Sequence, residues 1–234
     1  MREGIRLSKI ILFFLLLSVI SIFSQSLNSL TGYYNIPTAE INQDGKIVSG
    51  AFYIPYKFSK EKGFDRDAIA YFGAISYLPF LEMSLRFTKL LGPNNALGDR
   101  MFSFKLRFIS EGKYYPSFAL GAQDFFHSTE SLTNRYNSLY LVATKSIETN
   151  VFMNKISITF GYGSDVIPAN DYEYIGVFGG VSFAFFNHIE IMGEYDAKNY
   201  NVGSRIKLFN CIFLLSGFRN LKYFSGGGGV YFQL

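Results

Sequence analysis

The sequence predicts an all-β protein: an antiparallel up-and-down transmembrane β-barrel of about 12 strands, made behind a cleaved signal peptide. Three observations predict it. Apolar/polar alternations of about ten residues recur along the chain with turn residues between them. The connections alternate between short turns and longer polar loops. The chain opens on a basic patch followed by an apolar run, as secreted proteins do. Composition agrees. Aromatic residues are 18% of the chain, with 26 Phe and 17 Tyr, while charged residues are 17%, below the usual quarter of a soluble domain.

Met1 to Ser26 reads as the signal peptide. Arg2, Arg6 and Lys9 are basic, Ile10–Phe23 is apolar, and Ser24-x-Ser26 offers small residues for cleavage. The apolar run is shorter than the about twenty residues of a spanning helix, which favours cleavage over an uncleaved anchor. Those bases against Glu3 contribute +2 of the chain's +4, so the remainder carries no nucleic-acid footprint. Cys211 is the single cysteine; it does not follow the leader as a lipoprotein cysteine would, and it permits neither an intrachain disulfide nor a CxxC metal cluster. Residues 27–45 read as an N-terminal periplasmic segment and 46–234 as the barrel.

Within the barrel the alternation places strands near Lys46–Lys57, Ala68–Leu78, Leu81–Leu91, Arg100–Ser110, Tyr115–Phe126 and Asn137–Ile147. The second half continues with Asn154–Gly163, Tyr174–Phe185, His188–Asp196, Tyr200–Phe209, Cys211–Asn220 and Phe224–Leu234. The clearest is 102–109, where Phe102, Phe104, Leu106 and Phe108 alternate with Ser103, Lys105, Arg107 and Ile109. Side chains of a strand point alternately to its two faces, so one face is apolar and the other polar. A charge turned to lipid at mid-membrane costs about 2–4 kcal/mol, so the polar face belongs inside. A soluble sheet could bury the same apolar face in a core. The leader and the final strand, where Val230, Phe232 and Leu234 alternate to the last residue, argue for the barrel.

Ser59–Asp67, Gly92–Asp99, His127–Tyr136 and Ser164–Glu173 are long and polar, whereas Pro79-Phe80, Glu111-Gly112, Phe186-Asn187 and Asn210 are short. Barrels of the outer membrane keep short turns on the periplasmic side, so both ends of the barrel domain are expected there.

Several segments match a known pattern in order. They are Gly32–Ala39 followed by Asp44-Gly45, then Phe104-Lys105-Leu106-Arg107 with Glu111-Gly112-Lys113-Tyr114, Pro116-Ser117 and Asp124-Phe125. Leu141–Lys145, Gly161-x-Gly163, Phe178-Gly179-Gly180 and Glu194-Tyr195-Asp196 follow. Over roughly Gly32 to Tyr200 the chain resembles the YjbH-like exopolysaccharide-biosynthesis family. The resemblance implies an outer-membrane barrel linked to production or export of extracellular polysaccharide. The chain is much shorter than the long members of that family. Glu111, Gly112 and Asp124 lie in the most family-like hairpin, where a role in folding the hairpin weighs more than a role in export.

The inward charges expected from the alternation are Glu82, Arg86, Lys105, Arg107, Lys145, Glu190, Glu194, Arg205 and Lys207. Six bases against three acids leave a cationic excess in that set. Two roles stand open for it: a conducting path selective for anionic solutes, or ion pairs that fill a narrow lumen. An outer-leaflet lipid hydrolase would need a nucleophile, a base and an orienting group in contact. His127-Ser128 offers a fragment of one at the outer rim, while His188 falls at the other end. No catalytic residue, cofactor or metal site is therefore expected. The expected partners are outer-membrane lipid, the barrel-assembly machinery and an anionic polysaccharide. The leading reading is a non-enzymatic bacterial outer-membrane barrel that assists exopolysaccharide export or assembly. Its alternative is a structural or small-solute barrel.

Overall fold

A computed structural model describes residues 25–59, 66–92, 97–125, 137–149, 153–167, 172–186, 188–209 and 211–234. Residues 1–24, most of the expected leader, as well as His127 and much of the long connections lie outside this set. Among the described residues twelve strands form one closed antiparallel barrel in which each strand pairs with its sequence neighbours and β1 with β12. They are β1 (Lys46–Ile54), β2 (Ala68–Leu78), β3 (Leu81–Leu90), β4 (Leu97–Ile109), β5 (Ser117–Gln123) and β6 (Ser138–Glu148). The circuit continues with β7 (Met153–Ser164), β8 (Gly176–Phe185), β9 (Ile189–Tyr195), β10 (Tyr200–Leu208), β11 (Ile212–Arg219) and β12 (Tyr223–Gln233). We call the end holding the β2–β3, β4–β5 and β8–β9 connections the turn end, and the opposite end the loop end. The seam pairs Lys46 with Gln233 and runs to Tyr53 with Gly226.

The two-residue repeat sorts the side chains as the alternation requires. On β3, Glu82, Ser84, Arg86 and Thr88 are buried while Leu85 and Phe87 are exposed. On β7, Ser157 and Thr159 are buried while Ile158, Phe160 and Tyr162 face out. Boundaries differ from the sequence reading where local chemistry intervenes. Strand β1 stops at Ile54 because Pro55 has no N–H to give to the ladder. A single helical turn, α1 (Tyr56–Ser59), follows, with the Phe58 and Ser59 amides on the Pro55 carbonyl. In β4 the register shifts between Arg107 and Ile109, opposite Ala119 and Phe118. This bulge turns Ile109 outward beside Phe108, so it does not share the face of Lys105 as strict alternation expected.

The larger departure is at the N-terminus. Residues 27–45 read as a periplasmic segment, but Gln25 to Asn42 are buried throughout, inside the barrel. They make two short bridges, Gln25 with Thr31 and Gly32 with Pro37, and leave through the turn end into β1. Gln25 and Ser26, given to the leader on sequence, belong to this plug. Leu27, Tyr33, Tyr34, Ile36 and Ala39 pack against Val48, Phe52, Phe178, Phe213 and other inward residues to form the main core cluster. The barrel is thus built around its own N-terminal chain.

Inward glycines make the room. Gly121 pairs across strands with Tyr140, and Gly161 with Phe178. A Cβ on either glycine would strike the partner's ring. A Cβ on Gly203 would lie 2.6 Å from the Tyr34 ring. Gly217→Val would press on the Val202 carbonyl and the same ring, whereas Gly73 faces out with nothing within 4 Å. Overpacking of this kind costs about 1–3 kcal/mol. Gly217→Val should lower the urea midpoint of the lipid-folded protein accordingly, and Gly73→Val should leave it unchanged.

Candidate functional site: the plugged lumen

Four inward charges hold the plug by its backbone. Glu82 and Lys105 are register partners on β3 and β4, with Nζ and Oε2 3.1 Å apart and both side chains fully buried. Glu82 accepts from the Thr31 amide (3.1 Å), the Thr31 hydroxyl (2.7 Å) and Gln25 Nε2 (2.9 Å). Lys105 Nζ donates to the Thr31 carbonyl at 2.7 Å. On the opposite wall Arg205 donates through Nη1 to Glu190 (2.6 Å) and through Nη2 to the carbonyls of Gln25, Gly32 and Tyr33. Glu194 receives three successive backbone amides, Tyr34 (3.1 Å), Asn35 (2.8 Å) and Ile36 (3.2 Å), with a fourth bond from Asn201 Nδ2. Successive amides turned to one point form an anion nest, and here the anion is a barrel side chain.

Other contacts fix the plug's height. Arg86 Nη1 donates to Asn28 Oδ1 at 2.6 Å. The Ala39 amide donates to Thr144 Oγ1 at 2.9 Å, and Lys155 meets Glu40 at 2.9 Å near the turn end. At the loop end Asn35 Nδ2 reaches Asp196 (3.2 Å), and the Tyr174 hydroxyl donates to the Asn35 carbonyl (2.7 Å) and also meets Asn28. Burial pushes the Tyr174 phenol well above its usual pKa, which keeps it a neutral donor.

The charges expected inside are placed as follows. Glu82, Arg86, Lys105, Glu190, Glu194 and Arg205 line the lumen against the plug, and Lys207 faces inward near the turn end, within electrostatic reach of Glu190 and Glu40. Arg107 sits at the rim and donates to the Pro79 carbonyl at 2.7 Å. Lys145 does not line the lumen. On β6 it is Thr144 that faces in, so Lys145 lies on the other face and pairs with Glu111 (2.8 Å) and the Gly112 carbonyl (2.6 Å). The family-like hairpin residues serve local geometry. Gly112 lies under the Tyr115 ring, where a Cβ would clash. Asp124 ends β5 with φ of 48°, its amide on Ser103 Oγ and its carbonyl on Asn137 Nδ2. His188 sits in the β8–β9 turn with its ring against the Phe186 carbonyl.

The plug and the inward charges Glu82, Arg86 and Lys105 lie in the span over which the chain matches a known family, while Glu190, Glu194, Arg205 and Lys207 lie beyond it. That family is described as exopolysaccharide biosynthesis protein YbjH, and the match covers residues 24–173, well over half of the 234 residues. The chain belongs to the YjbH family. No curated protein matches the chain. The match starts at residue 24 and ends at 173, and so takes in the plug and the first seven of the twelve strands, β1 through β7.

Sequence reasoning missed the plug residues Gln25, Thr31, Tyr34 and Asn35. A signal was present. Residues 25–42 are uncharged except for Glu40, carry no alternation, and hold Asn28, Asn35 and Asn42, which suits a segment whose backbone satisfies other groups. Removing one member of a buried ion pair costs about 3–5 kcal/mol. Lys105→Met should therefore lower unfolding stability by that order, and the double change Glu82→Gln/Lys105→Met should recover much of the loss; chemical denaturation in lipid measures both. Because Gln25 and Ser26 are bonded inside the lumen, the mature chain should retain both. Intact mass would read a start at or before Gln25, and a start at Leu27 would contradict this assignment.

Proposed function

We propose that the chain is a non-enzymatic outer-membrane barrel that assists export or assembly of exopolysaccharide, with its lumen closed at rest by residues 25–42. The observation that carries the reading is the pairing of an apolar exterior with a lumen whose charges are committed to the chain's own backbone. Among the described residues, outward positions between Lys89 and Arg100 at the loop end and Lys145 at the turn end bear no charge. Strand β2 has 11 residues; at about 3.4 Å each and a tilt of about 40° such a strand rises about 28 Å, close to the apolar band of about 25 Å in outer-membrane barrels. Exposed Tyr77, Phe80, Tyr114, Phe186 and Phe209 gather at the turn end, where an aromatic girdle would meet the periplasmic headgroups. Membership of a family described by exopolysaccharide biosynthesis supplies the link to polysaccharide.

On this reading the polar interior is a seat for the plug, and passage of a polymer would require the plug to leave. The protein should fractionate with washed outer membranes and shift in gel mobility on boiling. In planar bilayers the intact chain should be closed, and a chain lacking residues 27–42 should give stepwise conductance. Deletion of the gene should lower extracellular polysaccharide, and the intact gene should restore it. A soluble periplasmic protein without a mobility shift, or unchanged polysaccharide in the deletion strain, would overturn the reading.

A further inference from the structure

The outward cations at the two ends of the barrel differ in one respect. At the turn end Lys145 is answered within the chain, by Glu111 at 2.8 Å. At the loop end Lys89 on β3 and Arg100 on β4 also face outward, and neither makes a hydrogen bond or an ion pair among the described residues. Asp67, the acid just ahead of β2, stands beyond Lys89, level with Leu91, and is turned to the Tyr56 amide at 2.8 Å.

The two loop-end cations form one site. Phe87 pairs with Arg100, and Lys89 with Leu97 after a shift in register, so Lys89 and Arg100 are diagonal neighbours on adjacent strands. Such positions stand about 7–8 Å apart, a gap that two long side chains can close over one ligand. Toward the middle of the wall the surface beneath them is apolar. Leu85 and Phe87 are exposed on β3, and the Phe102 and Phe104 rings of β4 lie with centroids 6.4 Å apart. A pair of cations over an apolar track matches a lipid seen from the side, with an anionic headgroup above its acyl chains. Long basic side chains suit this height, since the charge stays at the interface while the stem covers apolar surface.

Two cations also select among anions. A phosphodiester lipid offers one negative charge. A phosphomonoester carries about −1.5 to −2 at neutral pH and three acceptor oxygens. A guanidinium takes phosphate through two parallel N–H bonds, and an ammonium meets it as a point charge.

We propose that Lys89 and Arg100 bind the phosphomonoester headgroup of an outer-leaflet lipid, whose acyl chains lie over Leu85, Phe87, Phe102 and Phe104. The site rests on the outer-membrane placement above and not on the polysaccharide role.

The test is native mass spectrometry of the full chain folded in detergent. It is titrated with diphosphoryl lipid A, a phosphomonoester lipid, and with phosphatidylglycerol, a phosphodiester lipid, and inorganic phosphate serves as a competitor without acyl chains. Lipid A should bind, phosphatidylglycerol should bind at least tenfold more weakly, and inorganic phosphate should not displace lipid A. Lys89→Gln/Arg100→Gln should weaken lipid A binding at least tenfold while keeping the heat-dependent mobility shift. Lys57→Gln/Lys222→Gln, the same loss of charge at the same end but on α1 and the β11–β12 turn, should leave it unchanged. Equal binding of phosphatidylglycerol, displacement by phosphate, unchanged affinity in the first double variant or an equal loss in the second overturns the site. A protein that fractionates with outer membranes and shifts on boiling, yet binds no lipid A, would sink this site alone. A soluble protein without the shift would sink the placement on which the site rests.

Discussion

A charge that the strand repeat turns inward must find its counterpart inside, and this requirement shapes the protein. The barrel's outer face has no place for Glu82, Lys105, Arg205 or Glu194, since apolar side chains occupy it. Pairing across strands satisfies part of the demand, as Glu82 with Lys105 and Arg205 with Glu190. The remainder is met by peptide groups of residues 25–42. Backbone amides answer the acids and backbone carbonyls answer the bases, so the plug can be nearly uncharged and still neutralise the hydrogen-bonding capacity of both signs. The arrangement is specific in register: Glu82 and Lys105 take the amide and carbonyl of Thr31, Arg205 the carbonyls of Gln25, Gly32 and Tyr33, and Glu194 the amides of Tyr34 to Ile36, so sliding the plug by one residue would mismatch them.

The interior divides by chemistry. Strands β3, β4, β9 and β10 supply the charged walls, while β1, β2, β8 and β11 supply Val48, Phe52, Phe72, Phe178, Phe213 and Leu215. The plug answers both kinds of surface, with peptide groups toward the charged strands on opposite walls and Leu27, Tyr34 and Ile36 packed among the apolar inward residues. Small inward glycines receive the rings, so the lumen is packed as a core is packed. A barrel of this size and filling is a solid cylinder, and not a standing pore.

Much of the barrel was legible because alternation is a local property. The spans 68–78 and 200–208 read almost to the residue, and Glu82, Arg86, Lys105 and Arg205 lie on the inward face that period two gives them. What failed was whatever depends on a partner distant in sequence. Lys145 was assigned inward by its charge, yet Thr144 holds that face and Lys145 turns to Glu111. The bulge at Arg107–Ile109 lies in the pairing with β5, where the strand's own pattern does not show it. The plug had no periodicity to reveal it, because its contacts, such as Tyr34 to Glu194, span about 160 positions. The cluster at the loop end was invisible for the same reason: Asn35, Glu173, Asp196 and Arg219 meet only in three dimensions.

The link between plug and wall has a directional meaning. Between Asn42, still buried, and Lys46, the first residue of β1, lie only Gln43, Asp44 and Gly45, a tether that can extend about 10 Å. Gly45 is itself stitched to the rim, giving its amide to Ser76 and accepting from the Leu234 amide. The base of the plug is thus moored at the turn end beside the seam that joins first strand to last. With its base held there, a plug that leaves the lumen would carry its tip at Asn35 down and out through the turn end, since the mooring opposes withdrawal through the loop end. If the plug leaves to let a polymer pass, the cylinder has a hinged stopper that opens from one side.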